Sequence, residues 1–267
     1  MNQKQPKGIL FRNVEMVSLD TGCFRSDLKP VIKENLLLIS LDGKDIATLK
    51  CLPVEVEYLA LGFLYSSGIL TSIASVHSIT STSSPLNVKI KSIDPDCIAH
   101  KIYLTQSANI EAQNKILFKS MENSSTHGLQ SNFAIDIPQL RKLWELIKME
   151  DAEFRAILGV SVAILCSRHE LLYISFDINH NNSIDRIAGR CFSDDISMND
   201  KFVYCSGRFS SENISKLSRI GVPIIISSLT PTNTAIDLAD TVGITLLTTS
   251  SAKDITIYTH SERVTSM

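Results

Sequence analysis

Two short runs of strand-forming residues, Leu36–Leu41 and Ile46–Leu49, flank Asp42-Gly43, a dipeptide suited to a tight turn with positive φ at both central positions. Residues 34–50 therefore predict a β-hairpin. The apolar spacing then lengthens. Val56, Leu59, Ala60, Phe63 and Leu64 fall at i, i+3, i+4, i+7 and i+8, the stripe of an amphipathic helix, with Pro53 in its first turn and Gly68 as its stop. Residues 77–87 are crowded with Ser and Thr and predict a loop, with strands following near Val88–Ile93 and Ile98–Leu104. Ala108–Met121 is compatible with a helix, and Glu122–Asn132 is polar. Another helix begins near Asp136, with Pro138 in its first turn and Leu140, Leu143, Trp144 and Ile147 on one face.

Beyond residue 160 the pattern becomes regular. Val160–Cys166 and Leu171–Phe176 predict a hairpin, and Asn182 or Ser183 is placed to cap a helix carrying Ile184, Ile187 and Ala188. Strand and helix then alternate: Phe202–Cys205, Ser211–Ile220 with Gly221 as stop, Val222–Ser227, Pro231–Val242 with Gly243 as stop, Ile244–Thr248 and Ile255–Thr259. Such alternation implies βαβ units and a parallel sheet. The fold class is α/β. A smaller, mainly β N-terminal domain with one helix is expected over residues 1–125 and an α/β domain over 130–267, with the boundary within 122–135. No internal repeat is visible.

Composition narrows the function classes. The chain has 267 residues, 44% of them hydrophobic, a net charge of −2 and a pI of about 6.3, which argues against a general nucleic-acid binder. The N-terminus lacks a signal-peptide hydrophobic region, and the longest near-apolar runs, Leu158–Cys166 and Val222–Ile226, are too short to span a bilayer. A cytoplasmic protein is expected, with no membrane or nucleic-acid partner. The cysteines at 23, 51, 97, 166, 191 and 205 are scattered and form no C-x-x-C, against a zinc ribbon or a dithiol redox motif. No protein-bound metal is expected. Asp177 and Asp185 lack metal-spaced companions, and His260-Ser261-Glu262 supplies only the first half of a deaminase-type zinc motif.

In an open α/β sheet, ligands bind outside the carboxyl ends of the strands. Three loops leave the predicted strands there: Ser206-Gly207-Arg208, Ser228-Leu229-Thr230 and Thr249–Lys253. Two lead into helix N-termini, where unpaired N–H groups and the helix dipole favour an anion. Arg208 adds a bidentate donor, and Ser206, Ser210, Thr230 and Thr232 add hydroxyls, which together make a phosphate or pyrophosphate site. The plainer alternative is that these Ser and Thr residues are helix caps and the glycine a turn. The chain has no P-loop and no G-x-G-x-x-G.

These residues also carry a resemblance. Glu34–Leu70 is similar to the N-terminal signature of the formate dehydrogenase accessory proteins (the FdhD family), a hairpin followed by P-x-(D/E)-(L/V)-E-x-(L/F)-A-x-G-F and a Gly-Ile stop, at Pro53, Glu57, Ala60, Gly62, Phe63, Gly68 and Ile69. Tyr204–Val222 resembles the family's S-G-R-x-S-x-E-x-x-x-K-x-x-x-x-G-(I/V) segment at Ser206, Gly207, Arg208, Ser210, Glu212, Lys216 and Gly221. Thr230–Ala239 and Ile257–Thr259 resemble its later helix and closing strand. The resemblance implies a cytidine-deaminase-like mixed-sheet core with helices packed on it. It also implies a sulfur carrier that takes persulfide sulfur from a cysteine desulfurase and delivers it to the molybdenum bis(molybdopterin guanine dinucleotide) cofactor of formate dehydrogenase. A guanine nucleotide is then the natural ligand of the loops, a homodimer is the implied assembly, and the family's cofactor segment falls on Thr249, Ser250, Ser251, Ala252, Lys253 and Asp254.

The departures lie in the chemistry. The family's C-G-x-C-G loop falls in or near 118–131, where this chain has no cysteine, and persulfide chemistry needs an accessible thiolate. The family's E-D-(V/I)-G-R-H-N-A-x-D-K becomes Phe176–Arg186, keeping Asp177, Asn182 and Asp185 while the Arg-His pair becomes His180-Asn181. No catalytic residue is assigned. His180 reads as an exposed loop histidine, Cys205 as a buried strand cysteine, Cys191 as a candidate for exposure after a helix, and Asp185 as a local helix hydrogen-bond or ion-pair partner. Two functions remain open: a sulfurtransferase-type accessory protein, or a non-catalytic cofactor- or guanine-nucleotide-binding module.

Overall fold

The computed structural model describes residues 8–96, 129, 131–249 and 254–266, with only the backbone for 155–158. The chain opens with an antiparallel ribbon, β1 (Ile9–Val17) and β2 (Phe24–Ile32), for which the hydrophobic pattern gave no prediction. The predicted hairpin follows as β3 (Asn35–Leu41) and β4 (Lys44–Cys51), with φ of 51° at Asp42 and 78° at Gly43, as a turn with two left-handed residues requires. Helix α1 covers Val56–Ser66, starting after Pro53 rather than around it. Then come β5 (Val76–Ser83) and β6 (Leu86–Ser92), and these four strands form one sheet in the order β4-β3-β6-β5.

The 77–87 stretch is therefore a strand pair and not a loop. Its Ser and Thr residues lie on β5, an edge strand that hydrogen-bonds only to β6 among the described residues and exposes most of its side chains, so polar composition does not oppose strand formation there. The expected strand at Ile98–Leu104, the helix at Ala108–Met121 and most of Glu122–Asn132 lie outside the described residues.

The second half holds β7 (Ile135–Asp136), α2 (Ile137–Leu158), β8 (Ser161–Cys166), β9 (Leu171–Asp177) and α3 (His180–Ser193). It continues with β10 (Phe202–Cys205), α4 (Ser211–Arg219), β11 (Ile224–Ser227), α5 (Asn233–Val242), β12 (Thr245–Thr249), β13 (Ile255–Ile257) and β14 (Val264–Thr265). Six of these strands form a sheet in the order β13-β12-β11-β10-β8-β9. The strands β10, β11 and β12 run parallel, as the alternation predicted, and β8 is antiparallel to both β9 and β10. It follows that β9 points the same way as β10. Gly243 closes α5 at φ 80°, its N–H bonded to the Ala239 carbonyl.

Period-two alternation divides this sheet between two cores. Ala163, Leu165, Val203, Cys205, Ile225 and Leu246 face Ile184, Ile187, Ile214, Leu217 and Leu238 of α3, α4 and α5. Val162, Ile164, Phe202, Tyr204, Ile224 and Ile226 face Leu140, Leu143 and Ile147 of α2. A third core packs Leu37, Ile39, Val88 and Ile90 against Leu59, Ala60, Leu61 and Leu64 of α1 and reaches Phe192 of α3. No helix among the described residues is long and apolar enough to cross a membrane.

Candidate functional site

The carboxyl ends of β10 and β11 bring two of the predicted loops into contact. The Ser228 hydroxyl donates to the Ser206 carbonyl at 2.7 Å, the Ser227 hydroxyl to the Gly207 carbonyl at 2.8 Å, and the Thr232 N–H to the Phe209 carbonyl at 3.1 Å. The exposed Arg208 guanidinium donates through Nη1 to the Thr230 carbonyl, closing the join from outside. The starts of α4 and α5 thus lie on either side of one seam. Asn213 Oδ1 accepts from the Ser210 N–H at 2.8 Å at the first, and the Thr232 hydroxyl accepts from the Ala235 N–H at 3.2 Å at the second.

The other predicted site residues are placed as follows. The Ser206 hydroxyl is buried and accepts from the Val162 N–H at 2.8 Å, so it is already part of the sheet. Thr230 is exposed and Thr232 half-buried. Thr249 ends β12, paired with Ile255, and Asp254 is exposed just before β13. Ser250, Ser251, Ala252 and Lys253 lie outside the described residues.

A third helix start belongs to this edge and sequence reasoning missed it. Because β9 runs with β10, its turn into α3 opens beside theirs. Helix α3 begins at His180, with Asn179 as its cap accepting from the Asn181 N–H at 2.9 Å, three to four residues earlier than expected. Asn181 donates to Glu212 Oε1 at 3.0 Å and accepts from Asn213, which ties the first turns of α3 and α4 together. His180 is not an exposed loop residue. Its ring centroid lies 5.7 Å from that of Phe209, and both ring nitrogens are buried without a hydrogen-bond partner among the described residues. Burial, and then the nearby Lys216 charge, lower its pKa from 6.5 to about 4. The sequence signal was available: Leu171–Phe176 followed by a helix is one more strand-to-helix step of the kind that flagged the other two loops.

Behind this edge lie two buried ion pairs. Asp177 Oδ2 meets Arg186 Nη2 at 2.7 Å, with the side chains 0% and 1% exposed. The Asp177 carboxylate also accepts from the Leu52 N–H at 3.2 Å and from Asn182 Nδ2 at 3.0 Å. Asp185 meets Lys216 at 2.6 Å and accepts from the Ser66 hydroxyl at 2.6 Å. Asp185 is thus an ion-pair partner as the sequence suggested, but of Lys216 on α4 and not of a local residue, and Asp177 is likewise paired. His260 contacts the Asp240 carbonyl of α5 at 2.9 Å and, within its own turn, Glu262 at 3.2 Å.

The thiols divide sharply. Cys51, Cys166, Cys191 and Cys205 are buried, and desolvation pushes Cys51 and Cys191 up to about 12 and the other two higher. Cys191 is thereby corrected from a candidate for exposure. Helix α3 continues to Ser193, so Cys191 is not beyond the helix but on its inner face. Cys23, in the turn joining β1 to β2, is exposed. Cys97 lies outside the described residues.

The model of the FdhD/NarQ family matches residues 32–265. The "Sulfur carrier protein FdhD" of Listeria innocua serovar 6a is 28% identical over 250 residues, covering 92% of this chain and 95% of that protein. Its namesake in Bacillus subtilis strain 168 is 28% identical over 235 residues, covering 88% and 90%. A crystal structure from Desulfotalea psychrophila assigned as a formate dehydrogenase accessory protein superposes with a TM-score of 0.76 at 18% identity, covering 97% of this chain and all of that one, which is a likeness of fold.

Proposed function

The chain belongs to the FdhD/NarQ family, and we propose that it serves formate dehydrogenase maturation in the cytoplasm as an accessory protein. In this reading it seats the guanine nucleotide end of a molybdenum bis(molybdopterin guanine dinucleotide) cofactor, or a free guanine nucleotide, at the edge of its six-stranded sheet. The observation that carries the reading is the join of the two loops by Arg208 and Thr230 between the starts of α4 and α5. A guanidinium fork beside two helix N-termini is a donor set matched to phosphate oxygens. The same set offers no ligand suited to molybdenum. Arg208 and the helix starts would therefore hold the phosphates, and the metal and its sulfur would be supplied by the cofactor itself.

The second reading is sulfur carriage from a cysteine desulfurase, which the names of the relatives support. A carrier thiol must be reached by both donor and acceptor. Burial argues against Cys51, Cys166, Cys191 and Cys205, while the exposure of Cys23 keeps the reading open. Two measurements decide. Formate dehydrogenase activity is expected to return when this protein is supplied to a strain lacking its own accessory protein, and no rescue would refute the maturation role. Intact-mass analysis after incubation with a desulfurase and cysteine separates the two readings. A gain of one sulfur atom supports carriage, and an unchanged mass with retained GDP binding supports the binding module.

A further inference from the structure

The reading above leaves His180 without a role. Its ring lies so close to the backbone of Gly207 that a Cβ added there would stand 2.5 Å from Nδ1 and 2.8 Å from Cγ. Gly207 is not among the glycines with positive φ, so position 207 needs glycine for space and not for backbone conformation. Phe209 bounds the ring on another side, and the ties from Asn181 to Glu212 and Asn213 fix the helical turn that carries it. A neutral imidazole has one donor and one acceptor, yet both ring nitrogens are buried and find no partner among the described residues. Such a group is costly in a core. Here it is held directly against the loop that presents Arg208. Burial and the Lys216 charge keep the ring neutral, so its effect on the loop is steric and not a charge repelling Arg208.

Resting on the nucleotide-edge reading, we propose that His180 is the positioning residue of the phosphate seat. Its ring, wedged against Gly207, holds the Ser206–Ser210 loop in the shape that presents Arg208 and the start of α4 to a phosphate. The contact is one-sided in an informative way. An added methyl at 207 displaces the ring, whereas removal of the ring makes room for that methyl.

The test is calorimetric titration of the full chain with GDP and with inorganic pyrophosphate, for the parent, Gly207→Ala, His180→Ala, the double variant and His180→Phe. Gly207→Ala and His180→Ala are each expected to weaken binding roughly tenfold or more, the double variant to lose no more than the larger single loss because both changes break one contact, and His180→Phe, which keeps a ring, to stay near the parent. The His180 ring proton resonances, identified by their absence in His180→Phe, are expected to move when GDP is added, which a purely structural histidine would not show. Binding by Gly207→Ala equal to the parent, a double variant whose loss is the full sum of the two single losses, or a stationary His180 resonance at saturating GDP overturns the proposal. Should Gly207→Ala fail to fold, loss with His180→Ala and retention with His180→Phe is the expected result, and equal binding by all three is the contrary one. A parent chain that binds neither probe removes the edge reading and this inference together. Parent binding that is indifferent to His180 removes this inference alone.

Discussion

Gly62 of α1 and Gly189 of α3 lie against each other's helices at backbone distance. A Cβ on Gly62 would run into the Asp185 carbonyl and come within 2.7 Å of the Gly189 nitrogen, and a Cβ on Gly189 would come within 2.6 Å of the Gly62 nitrogen. In an open helix, Gly→Ala gains about 1 kcal/mol through helix propensity. Here the sign should reverse. Gly62→Ala and Gly189→Ala are each expected to destabilise the protein by about 1–3 kcal/mol or more, the scale of overpacking, read as a lower urea midpoint. A midpoint that rises instead would show that the helices can part at no cost.

The Asp177–Arg186 pair predicts a second, larger effect. Asp177→Ala leaves the Arg186 charge buried and also removes the acceptor for the Leu52 N–H. Breaking one partner of a buried pair typically costs about 3–5 kcal/mol. Glu145→Ala, which removes the surface pair with Lys148, serves as the control and should leave the unfolding midpoint almost unchanged. Equal shifts in the two variants would contradict the burial.

The stability of the protein should fall in mild acid through His180. The folded state holds its pKa at about 4, below the ordinary 6.5. Between those values the unfolded chain binds a proton that the folded one does not, so stability declines as pH drops from 6.5 toward 4. Above 6.5 the group makes no pH-dependent difference. Thermal unfolding of the parent and of His180→Phe from pH 8 to pH 4 isolates it. The gap between the two melting temperatures should be constant above 6.5 and move in favour of the variant below it. A constant gap throughout would mean that the ring titrates normally.

Arg208→Ala should weaken GDP binding by roughly tenfold to a hundredfold, the usual scale for a hydrogen bond to a charged group. The apo protein should melt nearly where the parent does, because Arg208 is exposed and its bond to Thr230 lies on the surface. Unchanged affinity beside a large loss of stability would reassign Arg208 as a purely structural clasp.

Brief alkylation of the native protein followed by peptide mass mapping should label Cys23 and spare Cys51, Cys166, Cys191 and Cys205 until denaturant is added. Early modification of Cys191 would show that α3 opens in the native state.

The alternating stretch from Phe202 to Thr249 was legible because each element is short, uniformly apolar or cleanly periodic, and punctuated by Gly221 and Gly243. The edge loops could be located for the same reason. Residues 77–87 misled because Ser and Thr were weighed as loop formers, although on an exposed edge strand they need not bury anything. The β1–β2 ribbon went unread since its apolar residues do not sort to one face: Leu10, Phe11, Val17, Phe24 and Leu28 are all exposed. His180 was misjudged because its surroundings come from Gly207, Phe209 and Lys216, and no local pattern announces a contact with residues that far along the chain. Asp177 and Arg186 are near in sequence, but their burial depends on Leu52, 125 residues before Asp177.

That last separation has a consequence for the growing polypeptide. Helix α1 presents a glycine-floored groove covered by α3 and a Ser66 held by α3 and by Arg219 at the end of α4, the Ser66–Asp185 bond spanning 119 residues. On the ribosome, at about 5–20 residues per second, the helix must wait roughly 6–24 s before its partner is even made. Throughout that interval, among the described residues, the apolar face of α1 beside the groove has only the β4-β3-β6-β5 sheet to shield it. Nascent chains stalled near residue 130 should therefore be the form of this protein most prone to capture by chaperones.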